Sequence, residues 1–391
     1  MNYILSDGSL WDSFLPLTFT RPVAEIRMGI LTIKEKWEKW LMTSVSTQTK
    51  THLSQKFPLK TASQNIVISA NYLPDDKLVQ KIKALKEGEA LFDGDVLVAF
   101  FTETPVEKYD LSKCQRIVLE HVPLKIENVW DIFSKNAEAL QSDFNMLTQG
   151  RQSQPLSTTN QVLDSENIFL EEGAQVEFSI LNASTGPIYI GKGAQIMEGC
   201  TIRGGLALCD NAVIKMGAKL YGPSTFGPYC KVGGEVSNSV LFAHSNKGHE
   251  GFLGNSVLGE WCNLGADTNT SNLKNNYAPV RLWDYKTEGF AQTGLQFCGL
   301  IMGDHSKCGI NTMFNTGTVV GVSANIFGSG FPRNFIPSFS WGGASGFSTY
   351  RTKKAYETAA AMMKRRDMEF DKIEEAVLDH VFELTKKWRK E

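Results

Sequence analysis

Six histidines occur in this chain, and three of them, His244, His249 and His305, fall in its glycine-rich stretch between 190 and 330. An imidazole with an ordinary pKa near 6.5 takes up a proton at neutral pH, so each is a candidate general base. The segment Gly234–Thr268 reads GEVSNSVLFAHSNKGHEGFLGNSVLGEWCNLGADT and holds two of the three. Glu235, Glu250 and Asp267 in it are carboxylates that could orient the His249 ring, and sequence does not choose among them. His305 lies apart, in GDHSKCG. No cluster of His, Cys and carboxylate residues has metal-ligand spacing. The seven cysteines, Cys114, Cys200, Cys209, Cys230, Cys262, Cys298 and Cys308, are scattered, odd in number and free of C-x-x-C pairs. They read as reduced, mostly buried thiols of a cytoplasmic protein.

The element that must carry these histidines is announced by a period of six. Ile190, Ile196, Ile202, Leu208, Ile214, Leu220, Phe226 and Val232 recur at every sixth position. Neither an amphipathic helix nor an alternating strand has that period, whereas a hexapeptide β-helix does. Each sixth residue should point inward and stack on its counterpart one coil away. The ladder returns as Phe252, Leu258 and Leu264, breaks over 266–297, and resumes as Met302, Cys308, Phe314, Val320 and Ile326. A break between regular coils predicts an excursion loop, the kind of segment that often carries function.

Residues 1–150 read as a mixed α/β domain. Tyr3–Leu5, Asn65–Ser69 and Leu97–Phe101 have the look of buried strands, and Thr32–Leu41, Asp75–Leu85 and Asn128–Leu147 of helices. The polar stretch Gln149–Gln161 predicts a linker. The β-helix should span 160–346, and residues 352–391 read as one helix with an apolar stripe from Tyr356 to Trp388.

A formal net charge of −2 without a basic cluster argues against a nucleic-acid partner. No secretory signal and no long apolar run is present, so neither export nor a membrane partner is expected.

The segment 234–272 resembles the acetyltransferase half of the bifunctional enzyme family that acetylates glucosamine-1-phosphate and then couples the product to UTP. Its pattern is matched by Glu235-Val236, Ser239, Gly248-His249, Leu253-Gly254, Leu258-Gly259, Asn263-Leu264-Gly265-Ala266-Asp267-Thr268 and Asn272. The resemblance implies a left-handed parallel β-helix, a homotrimer, and acetyl-CoA as donor. It also implies His249 as the base that takes the proton of an amine attacking a thioester, with Asn263 and Asn272 holding the sugar or acetyl group. Backbone N–H groups of the coil edge would serve the oxyanion. Where the family has two lysines after Glu-Val, this chain has Ser237 and Asn238. Lys219, Lys231 or Lys247 is then expected to supply the charge for a sugar phosphate.

The opening ILSDGSLWDSFLPLTFTRPVAEIRMGILTIKEKW resembles that of a sugar-phosphate nucleotidyltransferase. Gly8 stands for a glycine-rich loop, Leu15-Pro16-Leu17-Thr18 for the next motif, and Pro22 for a Pro-Lys pair whose lysine is Val23 here. Loop N–H groups with Arg21 and Arg27 would bind a nucleoside triphosphate. Asp95, in Gly94-Asp95, would hold Mg2+ if that site is active, though such a pair is also an ordinary hairpin turn. The whole is identified as a divergent branch of the bifunctional family: an α/β nucleotidyltransferase-like domain, a left-handed β-helix and a C-terminal α-helix. The expected activity is N-acetylation of an amino sugar phosphate in cell-envelope sugar-nucleotide biosynthesis. Two alternatives stand beside it: a nucleotidyltransferase whose coil only assembles it, and a sugar-nucleotide binding module without turnover.

Overall fold

The computed structural model describes residues 1–103 and 110–389, and these form two compact units. The first comprises 1–14, 21–26 and 31–127, and the second 15–20, 27–30 and 128–391. The first unit is thus narrower than the expected 1–150 domain.

In the first unit, strands β1 (Asn2–Ser6), β2 (Ser46–Gln48), β3 (Asn65–Ser69), β4 (Glu89–Asp93), β5 (Val96–Thr102) and β6 (Gln115–Val118) form one sheet, ordered β2-β1-β3-β5-β4-β6. The β1 pairings to β2 and β3 are parallel, whereas β5 runs antiparallel to both β3 and β4. Helix α1 (Ile33–Leu41) starts at Thr32, which exchanges side-chain and backbone hydrogen bonds with Glu35 in a capping box. Helix α2 (Asp76–Lys83) is capped by Asp75, whose carboxylate accepts the Leu78 N–H at 2.8 Å.

The second unit is a parallel β-helix with strands from Gln161–Leu163 to Ser340–Gly343, arranged on three faces. In the regular coils paired residues lie eighteen positions apart, as Ile190 against Leu208, Ile196 against Ile214 and Ile202 against Leu220. All six are buried in one continuous core that ends at Ile336. Three faces of six residues explain the period.

The ladder shortens where the histidines begin. Leu220 pairs with Val236, Phe226 with Leu241, and Val232 with Lys247. On the next coil Leu253, fully buried, pairs with Val236. The expected inward residue Phe252 is one position off and is partly exposed, because the short coil shifts the phase. The break begins later than expected: Asn269–Thr270 is still a coil strand, paired in parallel with Met313–Phe314, and the excursion follows it. In it Arg281–Asp284 pairs antiparallel with Gly289–Gln292, while in the coil Leu258 meets Met302. The excursion does not line the cavity described below. It braces the end of the coil instead, with Trp283 stacked on Phe335 at 4.1 Å and Tyr285 edge-on to Trp388.

Helix α3 (Asn136–Thr148) belongs to this second unit for a visible reason. Asn136 accepts the Gly29 N–H at 2.7 Å, and its amide donates to Pro223 O and Thr225 Oγ1. The C-terminal stretch is two helices rather than one, α4 (Thr352–Lys364) and α5 (Lys372–Leu384), and its final two residues lie outside the described ones. Asp367 at φ 55° ends the first turn-out, and Asp371 caps the second helix through the N–H groups of Ile373 and Glu374. Among the described residues no helix is long and apolar enough to cross a membrane.

Candidate active site

Parallel, in-register coils stack side chains of equivalent position into columns, one rung about 4.8 Å above the next. One outward column on the second unit runs Lys231, Asn246, Asn263, Lys307. Each member immediately precedes an inward residue of the ladder. At the neighbouring corner Tyr229, His244, Trp261 and His305 all adopt left-handed backbone angles, with φ between 60° and 62°. Their rings pile up: Tyr229 on His244 at 5.2 Å, His244 on Trp261 at 4.1 Å, and Trp261 on His305 at 6.2 Å, each pair within 10° of parallel. Burial lowers the pKa of His244, against the pull of Glu260, so its ring is biased toward the neutral form.

His249 lies on the short loop after the strand Asn246–Lys247 and is exposed. The loop is pinned from beneath. Lys247 occupies the inward position above Val232 and is 1% exposed; its ammonium donates to the carbonyls of Gly233 at 3.1 Å, Glu250 at 3.0 Å and His249. Burial lowers its pKa to about 8, while Glu250 and Asp267 oppose that shift. The loop closes at Gly251, whose φ of +109° and approach to Thr268 leave no room for a side chain: a Cβ would sit 2.2 Å from the Thr268 oxygen.

These columns and the loop line one cavity of about 720 Å³. His249, Asn263 and Lys231 open into it together with His244, Asn246 and Lys307. Lys215 joins from an adjacent turn, and Thr358, Met362, Arg365 and Arg366 from the end of α4. No carboxylate is among the lining residues. Lys307 donates to His305 O at 2.7 Å, and burial lowers its pKa to about 8. The Lys231 pKa is also lowered, first by burial and then by Arg366, Lys215 and Arg365.

Several expected site residues lie elsewhere. Lys219 is exposed, sits in register with Glu235 and does not reach the cavity. Lys247 is inside the coil, because the shortened turn puts it in phase with the apolar ladder. The Asn272 amide donates to Asn255 Oδ1 at 2.9 Å on another face. None of the three candidate carboxylates hydrogen-bonds the His249 ring among the described residues; Glu235 accepts from Tyr221 Oη at 2.5 Å, and Glu250 and Asp267 are exposed.

In the first unit Gly8 has φ +51° with open space around it, and Arg21 is buried. The Asp7 carboxylate beside Gly8 accepts the Val23 N–H at 2.8 Å and the Thr49 hydroxyl at 2.5 Å. Burial pushes its pKa up to about 6, opposed by those two hydrogen bonds and by Lys50. Arg27 falls in the second unit and is spent on structure: buried, it donates to Ile30 O at 2.5 Å. Asp95 does not fit a magnesium site. With Gly94 it forms the two-residue turn between β4 and β5, fully exposed and paired with Arg116 at 3.1 Å. Among the described residues no group of three His, Cys, Asp or Glu side chains is placed to hold a metal ion.

The sequence reading missed Asn246, Lys215, Lys307, Arg365 and Arg366. Lys307 was within reach, since it immediately precedes the ladder residue Cys308; Asn246 precedes Lys247, which lies off the period, and the arginines carry no periodic signal.

Residues 3–152 match the family model of a sugar nucleotidyl transferase. The bifunctional protein GlmU of Methanocaldococcus jannaschii is 33% identical over 87 residues, 22% of this chain and 21% of that protein. The GlmU protein of Synechococcus elongatus is 26% identical over 151 residues, 37% of this chain and 29% of its own length. The matched stretches thus cover less than a third of these relatives. Among solved structures, an Arabidopsis UDP-N-acetylglucosamine acyltransferase aligns over 59% of this chain and 92% of its own, at 12% identity and a TM-score of 0.28.

Proposed function

We propose that the chain is a divergent relative of the GlmU family of transferases, and that its β-helix transfers an acetyl group from acetyl-CoA to the amine of an amino sugar phosphate. The observation that carries this reading is the cavity itself. It brings an exposed histidine, His249, together with Asn263 and Lys231 on a wall of cations that suits a phosphorylated acceptor.

In this reading the acceptor nitrogen attacks the thioester carbon. The C–N bond forms, the C–S bond breaks, and coenzyme A leaves as the thiol. His249 takes the proton that the amine loses. Asn263, one rung from Lys307 and one from Asn246, holds the sugar or the acetyl oxygen by its amide. Lys231 faces the phosphate. Lys247 is a positioning residue, since it fixes the loop on which His249 stands. The assembly assigned with this reading is a homotrimer, which light scattering on the purified protein would test.

The decisive assay is thiol release from acetyl-CoA with a panel of amino sugar phosphates. His249→Ala should lower turnover by about 10²-fold or more. Unchanged turnover in that variant would exclude the assignment, whatever the wild-type rate.

The family match over residues 3–152 favours a second activity, nucleotidyl transfer to a sugar 1-phosphate in the N-terminal part. It predicts pyrophosphate release from a nucleoside triphosphate and a sugar 1-phosphate. A protein that releases thiol but no pyrophosphate would remove it.

A further inference from the structure

The wall of this cavity contributed by α4 holds the least expected charges. Thr358, Met362, Arg365 and Arg366 are spaced as one face of a helix and its first following residues. Arg365 and Arg366 sit at the C-terminal end of α4, where the helix dipole favours cations. Facing the same space are Lys215 and Lys231 of the coil. Among the described residues none of the four is ion-paired to a carboxylate, and none of the cavity's lining residues is acidic.

Like charges gathered around one concave space repel one another and raise the local potential for an anion. The Lys231 pKa is lowered first by burial and then by the charges of Arg366, Lys215 and Arg365. Ser237 and Asn238, beside the coil strand where charge was expected, contribute none. Arg365 and Arg366, at the end of a helix, add theirs to the two coil lysines.

We propose that Arg365 and Arg366, with Lys215 and Lys231, form a phosphate clamp that makes the acceptor site selective for a phosphorylated amino sugar. The proposal rests on the acetyl-transfer reading and names which residues decide its substrate class. A guanidinium presents a planar fork of donors that matches phosphate oxygens two at a time, which an ammonium does not. The acceptor is small, so its amine and its phosphate must share the cavity that His249 lines. A coenzyme A phosphate has the same chemistry, and the experiment below separates the two.

The test uses the full chain with acetyl-CoA, glucosamine 1-phosphate and unphosphorylated glucosamine. Arg365→Ala with Arg366→Ala should raise the KM for the phosphorylated acceptor by about tenfold or more, as expected for losing charge-assisted hydrogen bonds. The ratio of kcat/KM between the two acceptors should collapse toward one, while the KM for acetyl-CoA holds. Arg366→Lys should restore part of the selectivity, and an unshifted thermal melt shows that the variants are folded. A rise in the KM for acetyl-CoA with selectivity intact assigns the cations to the donor and overturns the clamp. An unchanged ratio overturns it as well. Should the wild-type chain transfer no acetyl group, calorimetric titration with glucosamine 1-phosphate and with inorganic phosphate decides the matter separately. Binding lost in the double variant upholds the clamp while the transfer reading falls; equal binding in both proteins, or none in either, overturns the clamp.

Discussion

Lys247 shows how one residue can be misread in kind while being placed correctly in the chain. Its charge suggested a sugar phosphate, but its side chain ends inside the coil on three backbone carbonyls. An ammonium there costs desolvation, which those carbonyls offset. Its folded pKa of about 8 lies below the ordinary 10.5. Between those values the unfolded chain holds more protons than the folded one, so this lysine makes stability rise with pH across that window. Lys247→Met should remove that rise, as seen by comparing urea unfolding at pH 7.5 and pH 10. The same variant should stay folded yet lose about tenfold in kcat, because the His249 loop is no longer tied down. Asp7 has the opposite sense. Its pKa is raised from 3.8 to about 6, so its contribution to stability is complete below about pH 4 and is lost as pH rises through 6. Asp7→Asn should therefore be more stable at pH 7.5 by about 2 kcal/mol, with a flatter profile between pH 4 and 6.

At the scale of elements, the coil is a stack of layers whose register decides which residues face in. The shortened turn between Val232 and Lys247 moved the inward position from Phe252 to Leu253. A pair of substitutions measures this directly. Leu253→Ala should cost about 2–5 kcal/mol in chemical denaturation, since it opens a void in a packed core. Phe252→Ala should cost clearly less despite its larger side chain. Equal costs would place Phe252 in the core after all. The C-terminal stretch makes a parallel point. Its apolar stripe was legible, but the break into α4 and α5 was not, although Asp367 and Asp371 supply the turn and the cap. Caps are local and visible in hindsight; what hid this one is that the apolar residues continue on both sides of it.

For the whole molecule, the repeat was the most legible feature. A residue stacked on its counterpart one coil away must be apolar every time, so the packing rule is written into the chain at fixed intervals. Most of the inward ladder, and the existence of an excursion before the coil resumes, followed from that regularity; Phe252 and the start of the excursion did not. Lys231, Asn263 and Lys307 of the outward column were readable one position before ladder residues, whereas Asn246 was not, because Lys247 lies off the six-residue period. Three things were decided only by tertiary structure. Which lysine points inward depended on the length of a single coil, and a three-residue difference carries no signature of its own. That residues 15–20, 27–30 and 128–150 belong with the second unit depended on long-range contacts such as Asn136 to Gly29 and Thr225. That Arg365 and Arg366 line the same cavity as His249 depended on where a helix docks. Docking joins surfaces more than a hundred residues apart, and no local pattern records it: periodicity encodes how a chain packs against its own repeat, not which distant element completes the wall of a site.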